Sequence, residues 1–375
     1  MGSIYNVRLM KVKKSFIKSV IQICIITGLA ALLSKTILYS FTSMPAFKSM
    51  IEVKDVQMSD FYNRVSDSKS VRELSQHVVL ISVDGKSREQ IAQVIECVSM
   101  EHPEAIGVDL LFEYPYDSDS TLIESVRDEN VVMAAVDMGN GDLATSYFCD
   151  STFRVGMVNM VAASSGSVVR EFSPTYPEGN CFALEIIKDA FPSQYCDLLN
   201  GGDERKTIYY PSIEFPIIEA DSVIAGVNMA NLHDKVVLIG DCNNMADMHV
   251  TPIGTMSGLR VHASIIETII GEKYVKSFSP FANWLIAILS CLLFVSLNVF
   301  VAKKIPAVGK LVIRVVQLLV LYLYFAFGCW LFIHKQINVD FSLSLAMIAL
   351  GLLAYDIWVG IGALCKGVYK RIKHR

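Results

Sequence analysis

Acidic side chains are almost missing from the two ends of this 375-residue chain. Residues 1–38 contain none, and residues 281–375 contain two, Asp340 and Asp356, against 16 Lys and Arg in the same stretches. Residues 39–280 are the reverse, with 35 Asp and Glu against 17 Lys and Arg. The net charge of −4 therefore conceals an acidic centre between basic flanks. An acidic centre repels nucleic acid, and none is expected as a partner. Basic flanks suit the cytoplasmic face of a membrane, with lipid as the neighbour.

Catalytic signatures are lacking too. The chain has no G-x-S-x-G elbow, P-loop, H-E-x-x-H, dinucleotide fingerprint or convincing Cys–His pair, so neither an enzyme nor a cofactor is expected. Nine cysteines are present, but no pair has metal-site spacing, and no metal site is expected. Cys24, Cys291, Cys329 and Cys365 fall in or beside apolar runs, which leaves Cys97, Cys149, Cys181, Cys196 and Cys242. An odd number excludes a complete disulfide framework. One bridge, Cys149–Cys181 or Cys181–Cys196, remains open in an oxidising compartment.

Apolar length is what the chain has in excess, at 53% hydrophobic residues. Crossing a bilayer takes about 20 such residues, and four runs are long enough: 16–38, 281–302, 311–333 and 342–364. Lys18 and Lys35 sit near the ends of the first run, where long side chains reach the interface. No small-residue cleavage site follows its core, so it reads as an uncleaved anchor. Residues 1–15 form a basic N-terminus and residues 365–375 a basic tail. Arg8 to Lys14, Lys303 to Arg314 and Lys366 to Arg375 share one side if both termini are cytoplasmic. That arrangement puts residues 39–280 outside, in the periplasm if the membrane is a bacterial inner membrane.

Within the external stretch, short β-branched runs alternate with helix-spaced segments, which predicts parallel βαβ units and an α/β domain with its core at residues 77–275. Strands are expected at 77–83, 105–110, 131–136 and 235–240. Helices are expected at about 91–98, 121–127 and 182–191, and from His262 onward. Residues 39–76, with Ile51, Val53 and Val56, read as a stalk. The segments 153–160 and 167–172, split by Ser164, Ser165 and Gly166, read as an edge hairpin.

The chain is organised around residues 235–274. There a buried-type strand, Val236 to Gly240, leads through a polar loop to a helix rich in Ile. The segment LIGDCNNMADMHVTPIGTMSGLRVHASIIETII resembles the end of the second class of CHASE domains, the cyclase- and histidine-kinase-associated sensory extracellular domains. The resemblance runs back through ADSVIAGVNMANLHDKVVLIG, AIGVDLLF and VVLISVDGKS, and covers most of residues 70–275. It implies a sensor domain outside the cytoplasmic membrane, with one transmembrane helix before it and usually three after.

Three Asp residues end or follow expected strands: Asp84, Asp109 and Asp241. If those strands are neighbours, their carboxylates share one crevice with Asp247, Thr251 and His262. That crevice would take a cation or a cationic or hydroxyl-rich ligand. The same Asp residues equally suit loop and helix caps, and His262 a structural role. In the last span Asp356 lies roughly 12 Å before the helix end, with Arg314 at the start of the adjacent span. An Arg314–Asp356 pair and separate snorkelling are both open. Gly351 gives that span a small face. The chain given stops about ten residues past the last span, with KGVYKRIKHR, so output is expected through a separate effector protein or a homo-oligomer. The alternative is a structural subunit whose external domain binds another envelope protein.

Overall fold

The computed structural model describes residues 2–43, 57–69, 73–139, 141–161, 167–200, 205–210, 213–227, 232–305 and 308–373. Ile51, Val53 and Val56 of the expected stalk, and the Ser164–Gly166 split, fall outside these residues. The chain divides into a membrane unit, residues 1–52 and 277–375, and a mixed α/β unit, residues 53–276.

The first long helix is α1 (Gly2–Ser43) and the α/β unit opens with α2 (Met58–Lys69). Its sheet is built from β1 (Val78–Ser82), β2 (Ala105–Asp109), β3 (Val131–Asp137), β4 (Leu143–Thr145), β5 (Arg154–Met157), β6 (Ile217–Glu219) and β7 (Val236–Gly240). The order across the sheet is β6–β1–β7–β2–β3, and β4 and β5 both pair with β3 on opposite edges, since Ala135 stands in register with Thr145 and with Met157. β4 runs antiparallel and every other pairing is parallel. Val78 and Leu80 point to one face, Val79 and Ile81 to the other, and Val236–Ile239 alternate in the same way. A β-branched run buried on both faces is what a parallel central strand requires.

Helices cover both faces. Packed on one are α3 (Arg88–Ser99), α4 (Asp119–Ser125) and α7 (Ala220–Ile224). The other carries α5 (Phe182–Ala190), followed by α6 (Pro192–Asn200), and α8 (Gly258–Ile270). Ser87 and Gln90 close a reciprocal capping box at the start of α3. Gly107 has no room for a Cβ, which would lie 2.5 Å from Ile186 Cδ1 and 2.7 Å from Leu238 Cδ2. Its missing side chain lets α5 lie close against the sheet.

The structure alters one expectation and decides one point the sequence leaves open. Among the described residues, the two segments of the expected edge hairpin meet only in one antiparallel bridge, Val161 to Glu171. Arg154–Met157 joins β3 in parallel, whereas Glu171–Phe172 pairs antiparallel with Lys206–Thr207 in a separate ribbon. All nine cysteines are free. Cys181 belongs to the core on one side of the sheet and Cys149 packs on the other, which separates them, and Cys196 is exposed on α6 while Cys181 is buried.

The membrane unit contains α1 with α9 (Pro280–Lys304), α10 (Gly309–Lys335) and α11 (Ser342–Lys373). All four helices are long and apolar enough to cross a bilayer. Ile26, Ala30, Ala287, Cys291, Val295 and Ala354 form one seam among α1, α9 and α11. Phe294, Ile313, Ile348 and Leu352 form a second seam that brings in α10. Gln317 donates to the carbonyls of Ile348 and Ala349 at 2.8 and 2.9 Å, which pins α10 to α11.

Candidate ligand-binding site

At the carboxyl edge of the sheet, β1, β7 and β2 stand side by side, so Asp84, Asp241 and Asp109 follow three adjacent strands. The connections leaving β7 and β2 diverge. After β7 the chain makes the turn Met245–Asp247 and a hairpin, β8 (Met248–Thr251) and β9 (Gly254–Ser257), before α8 on one face. After β2 it proceeds to α4 on the other face. Divergence of neighbouring connections opens a crevice, the place where open α/β sheets bind ligands. A cleft of about 410 Å³ lies there, lined by Asp109, Asp241, Asn244 and Asp247 on its polar side and by Leu110, Leu111, Ala134, Val136 and Val158.

Each polar group is held differently. Asp109 pairs in register with Gly240, whose absent side chain would sit 3.3 Å from Asp109 Cβ. Burial, reinforced by the charges of Asp247 and Asp241, pushes the Asp109 carboxyl up to about 7, and His249 opposes that rise. Burial also raises the Asp241 carboxyl, while the amide of Asn244, donating at 3.3 Å, works against it. Asp247 accepts from the backbone of Gly258 at 3.0 Å and lies 3.3 Å from His249 Nε2. A Cβ on Gly258 would come within 2.6 Å of the Asp247 carboxylate, so glycine there admits the carboxylate to the start of α8.

The other sequence candidates lie outside the lining. The oxygens of Asp84 accept from the Ser82 hydroxyl, the backbone of Cys242 and Asn243, and the Asn243 amide. It is therefore a cap that braces the loop carrying Asp241. Thr251 is buried and donates to Gly254 O at 2.6 Å, which closes the turn between β8 and β9. His262 is buried edge-on to Phe182, with Nδ1 unpaired, and burial lowers it to about 4. Among the described residues no group of three or more His, Cys, Asp or Glu is placed to hold a metal ion. Sequence reasoning did not single out Asn244 or His249 as site residues. Their signal was position, since both fall in the polar loop after β7.

In the membrane unit, Arg314 Nη2 lies 3.6 Å from Asp356 Oδ2. Gly351 is buried against Phe294 and Val295, so it serves packing inside the bundle and offers no outer face. Gly360 and Gly362 have open space around them.

The CHASE2 domain family matches residues 65–297, well over half of the chain. No curated protein and no solved structure matches it. With its α/β domain between one long apolar helix and three more, the chain is a multi-pass membrane protein and belongs to the CHASE2 family of extracellular sensor domains.

Proposed function

We propose that this protein is a membrane-anchored sensor without catalysis of its own. A cationic or hydroxyl-rich small molecule fills the acidic cleft, and the transmembrane helices pass its occupancy to a separate effector protein. Both termini face the cytoplasm and residues 39–280 lie across the membrane, because all three basic clusters then share one side. The observation that carries the ligand reading is the convergence of Asp109, Asp241 and Asp247 at the point where the connections from β2 and β7 part. A volume of about 410 Å³ suits a small molecule. Three carboxylates with one amide match a ligand that carries an amine, a guanidinium or several hydroxyls.

The test uses the full chain in mild detergent, screened for thermal stabilisation by a panel of amines, guanidines and polyols. A ligand of the cleft raises the midpoint in the wild type and fails to do so in Asp109→Asn/Asp241→Asn. Equal stabilisation of both proteins, or none across the panel, rejects the cleft. The effector is tested separately by co-purification after gentle solubilisation. Recovery of the chain alone, or only with copies of itself, rejects a separate effector.

A further inference from the structure

A second site lies in the membrane unit and is independent of the sensor reading. At the basic end of the helices, a cavity of about 290 Å³ is bounded by α9, α10 and α11, with Asn298, Lys310, Arg314 and Asp356 in its walls. Asn298 is 4% exposed and its amide Nδ2 has no hydrogen-bond partner among the described residues. It sits six residues before Lys304, about 9 Å from the end of α9 by the helical rise. A buried amide left unpaired among apolar helices is costly. Gln317 shows the satisfied alternative in the same bundle, since its amide reaches two carbonyls of α11.

The other groups around the cavity share one polarity. α10 starts here at Gly309, and Val308 at its N-cap supplies no side-chain cap. That leaves the positive end of a 27-residue helix beside the cavity. A Cβ on Gly309 would lie 3.2 Å from Val301 Cγ1, so glycine brings this helix start close to α9. Lys310 and Arg314 bring two positive charges and Asp356 one negative charge, which leaves a net of one positive. Asp356 stands 3.6 Å from one terminal nitrogen of Arg314, so the guanidinium has other N–H groups to offer. Gly309 N–H and Leu311 N–H are taken by Ile305 O and Val308 O, so the donors offered are the Asn298 amide, the Lys310 ammonium and the Arg314 guanidinium, and one singly charged anion balances them.

We infer that this cavity binds a phosphoryl monoanion, either the phosphodiester of an anionic lipid or a soluble phosphate ester, seated between Asn298, Lys310 and Arg314. Basic pockets between transmembrane helices recognise such head groups, and Arg and Lys supply the charge-assisted hydrogen bonds.

The experiment uses the full chain in neutral detergent with three probes: phosphatidylglycerol, phosphatidylcholine and inorganic phosphate. Native mass spectrometry reads retained lipid and thermal unfolding reads protection. Wild type should retain phosphatidylglycerol in preference to phosphatidylcholine. Lys310→Gln, at an exposed position, should lower that retention about fivefold, equivalent to the roughly 1 kcal/mol a basic residue contributes near a membrane surface. Without lipid, Asn298→Leu should be at least as stable as wild type, because it deletes an unpaired amide. With phosphatidylglycerol it should gain less protection. Protection by inorganic phosphate equal to that by phosphatidylglycerol assigns the site to soluble phosphate esters, and protection by the lipid alone assigns it to lipid. Equal retention of both lipids, or unchanged retention in Lys310→Gln, overturns the site even if Asn298→Leu does not fold.

Discussion

Arg170 and Asp60 lie 110 residues apart in sequence and meet as a buried, two-pronged ion pair, with Nε to Oδ1 at 2.8 Å and Nη2 to Oδ2 at 2.7 Å. Asp60 belongs to the first turn of α2, which also buries Tyr62 and Asn63, while Arg64 donates to Pro252 O at 3.1 Å. The pair thus ties the first helix of the α/β unit to the strand region before Glu171 and to the hairpin turn. Arg170→Leu leaves the Asp60 carboxylate buried and uncompensated and should cost about 3–5 kcal/mol. Asp60→Leu/Arg170→Leu should cost much less. Urea unfolding of the single and double variants decides the matter. Equal losses in both would mean that packing around α2, not charge pairing, holds it.

Two desolvated groups, half-buried Asp109 and buried His262, set opposing pH dependences. Asp109 is raised to about 7, so the folded state holds a proton that the unfolded state releases near pH 4. Its contribution is present below that point and falls away as pH rises towards 7. His262 is lowered to about 4, so the unfolded state takes up a proton near pH 6.5 that the folded state refuses. Its contribution is present above pH 6.5 and falls away as pH drops towards 4. Over pH 4–6.5 the two slopes oppose each other. Asp109→Asn should make stability rise with pH across that window, and His262→Leu should make it fall, each by about 1.4 kcal/mol per pH unit at most. Thermal midpoints at pH 4.5, 5.5 and 6.5 provide the reading. Parallel profiles for wild type and both variants would refute the assignment.

Gly156 and Gly258 test close approach. A Cβ at Gly156 would lie 2.6 Å from the Cα of Phe182, backbone that cannot rotate away. Gly156→Ala should therefore cost about 1–3 kcal/mol through overpacking. Gly258→Ala meets first the Asp247 side chain, which can swing aside, so the fold should survive with a smaller loss. The hydrogen bond to the start of α8 should go, however. Measured urea midpoints should rank wild type, Gly258→Ala and Gly156→Ala in falling order.

In the membrane unit, Gln317→Leu removes two hydrogen bonds between α10 and α11 and should weaken their association by about 0.6–2 kcal/mol. Gly351→Leu should disturb packing against Phe294 and Val295, whereas Gly362→Leu, facing open space, should alter only contacts with another chain. Blue-native migration separates the cases. If Gly362→Leu alone changes the assembled size, the outer face of α11 is where a partner docks.

A reporter fused after Arg375 tests topology directly. An active cytoplasmic reporter agrees with both termini inside, and an active external reporter reverses the orientation.

Much of the architecture was legible because its signals are local. Val78–Ser82, Ala105–Asp109 and Val236–Gly240 are β-branched runs that suit strands buried on both faces. The apolar helices announce themselves by length alone. The three strand-end Asp residues were visible too, but their separate fates depended on partners 158 residues away, such as Cys242 on Asp84. Nothing near Asp60 indicates Arg170, and nothing near Asn298 indicates that its amide goes unpaired. Gly351 packs against Phe294 and Val295, neighbours its sequence position does not name, because small residues admit any close neighbour, whether in the same chain or another.

The position of β7 bears on how the domain forms. β7 is the last strand of the sheet to be synthesised, and it takes the slot between β1 and β2, pairing with Val78–Ser82 on one side and Ala105–Asp109 on the other. Until residue 240 has been made, those two earlier strands have open inner edges and exposed Val and Ile side chains. Closing the sheet therefore depends on contacts across more than a hundred residues, which is slow and leaves hydrophobic edges open to other chains in the meantime. The strand that completes the centre also carries Asp241 to the cleft, so an incompletely closed sheet is one that has no cleft.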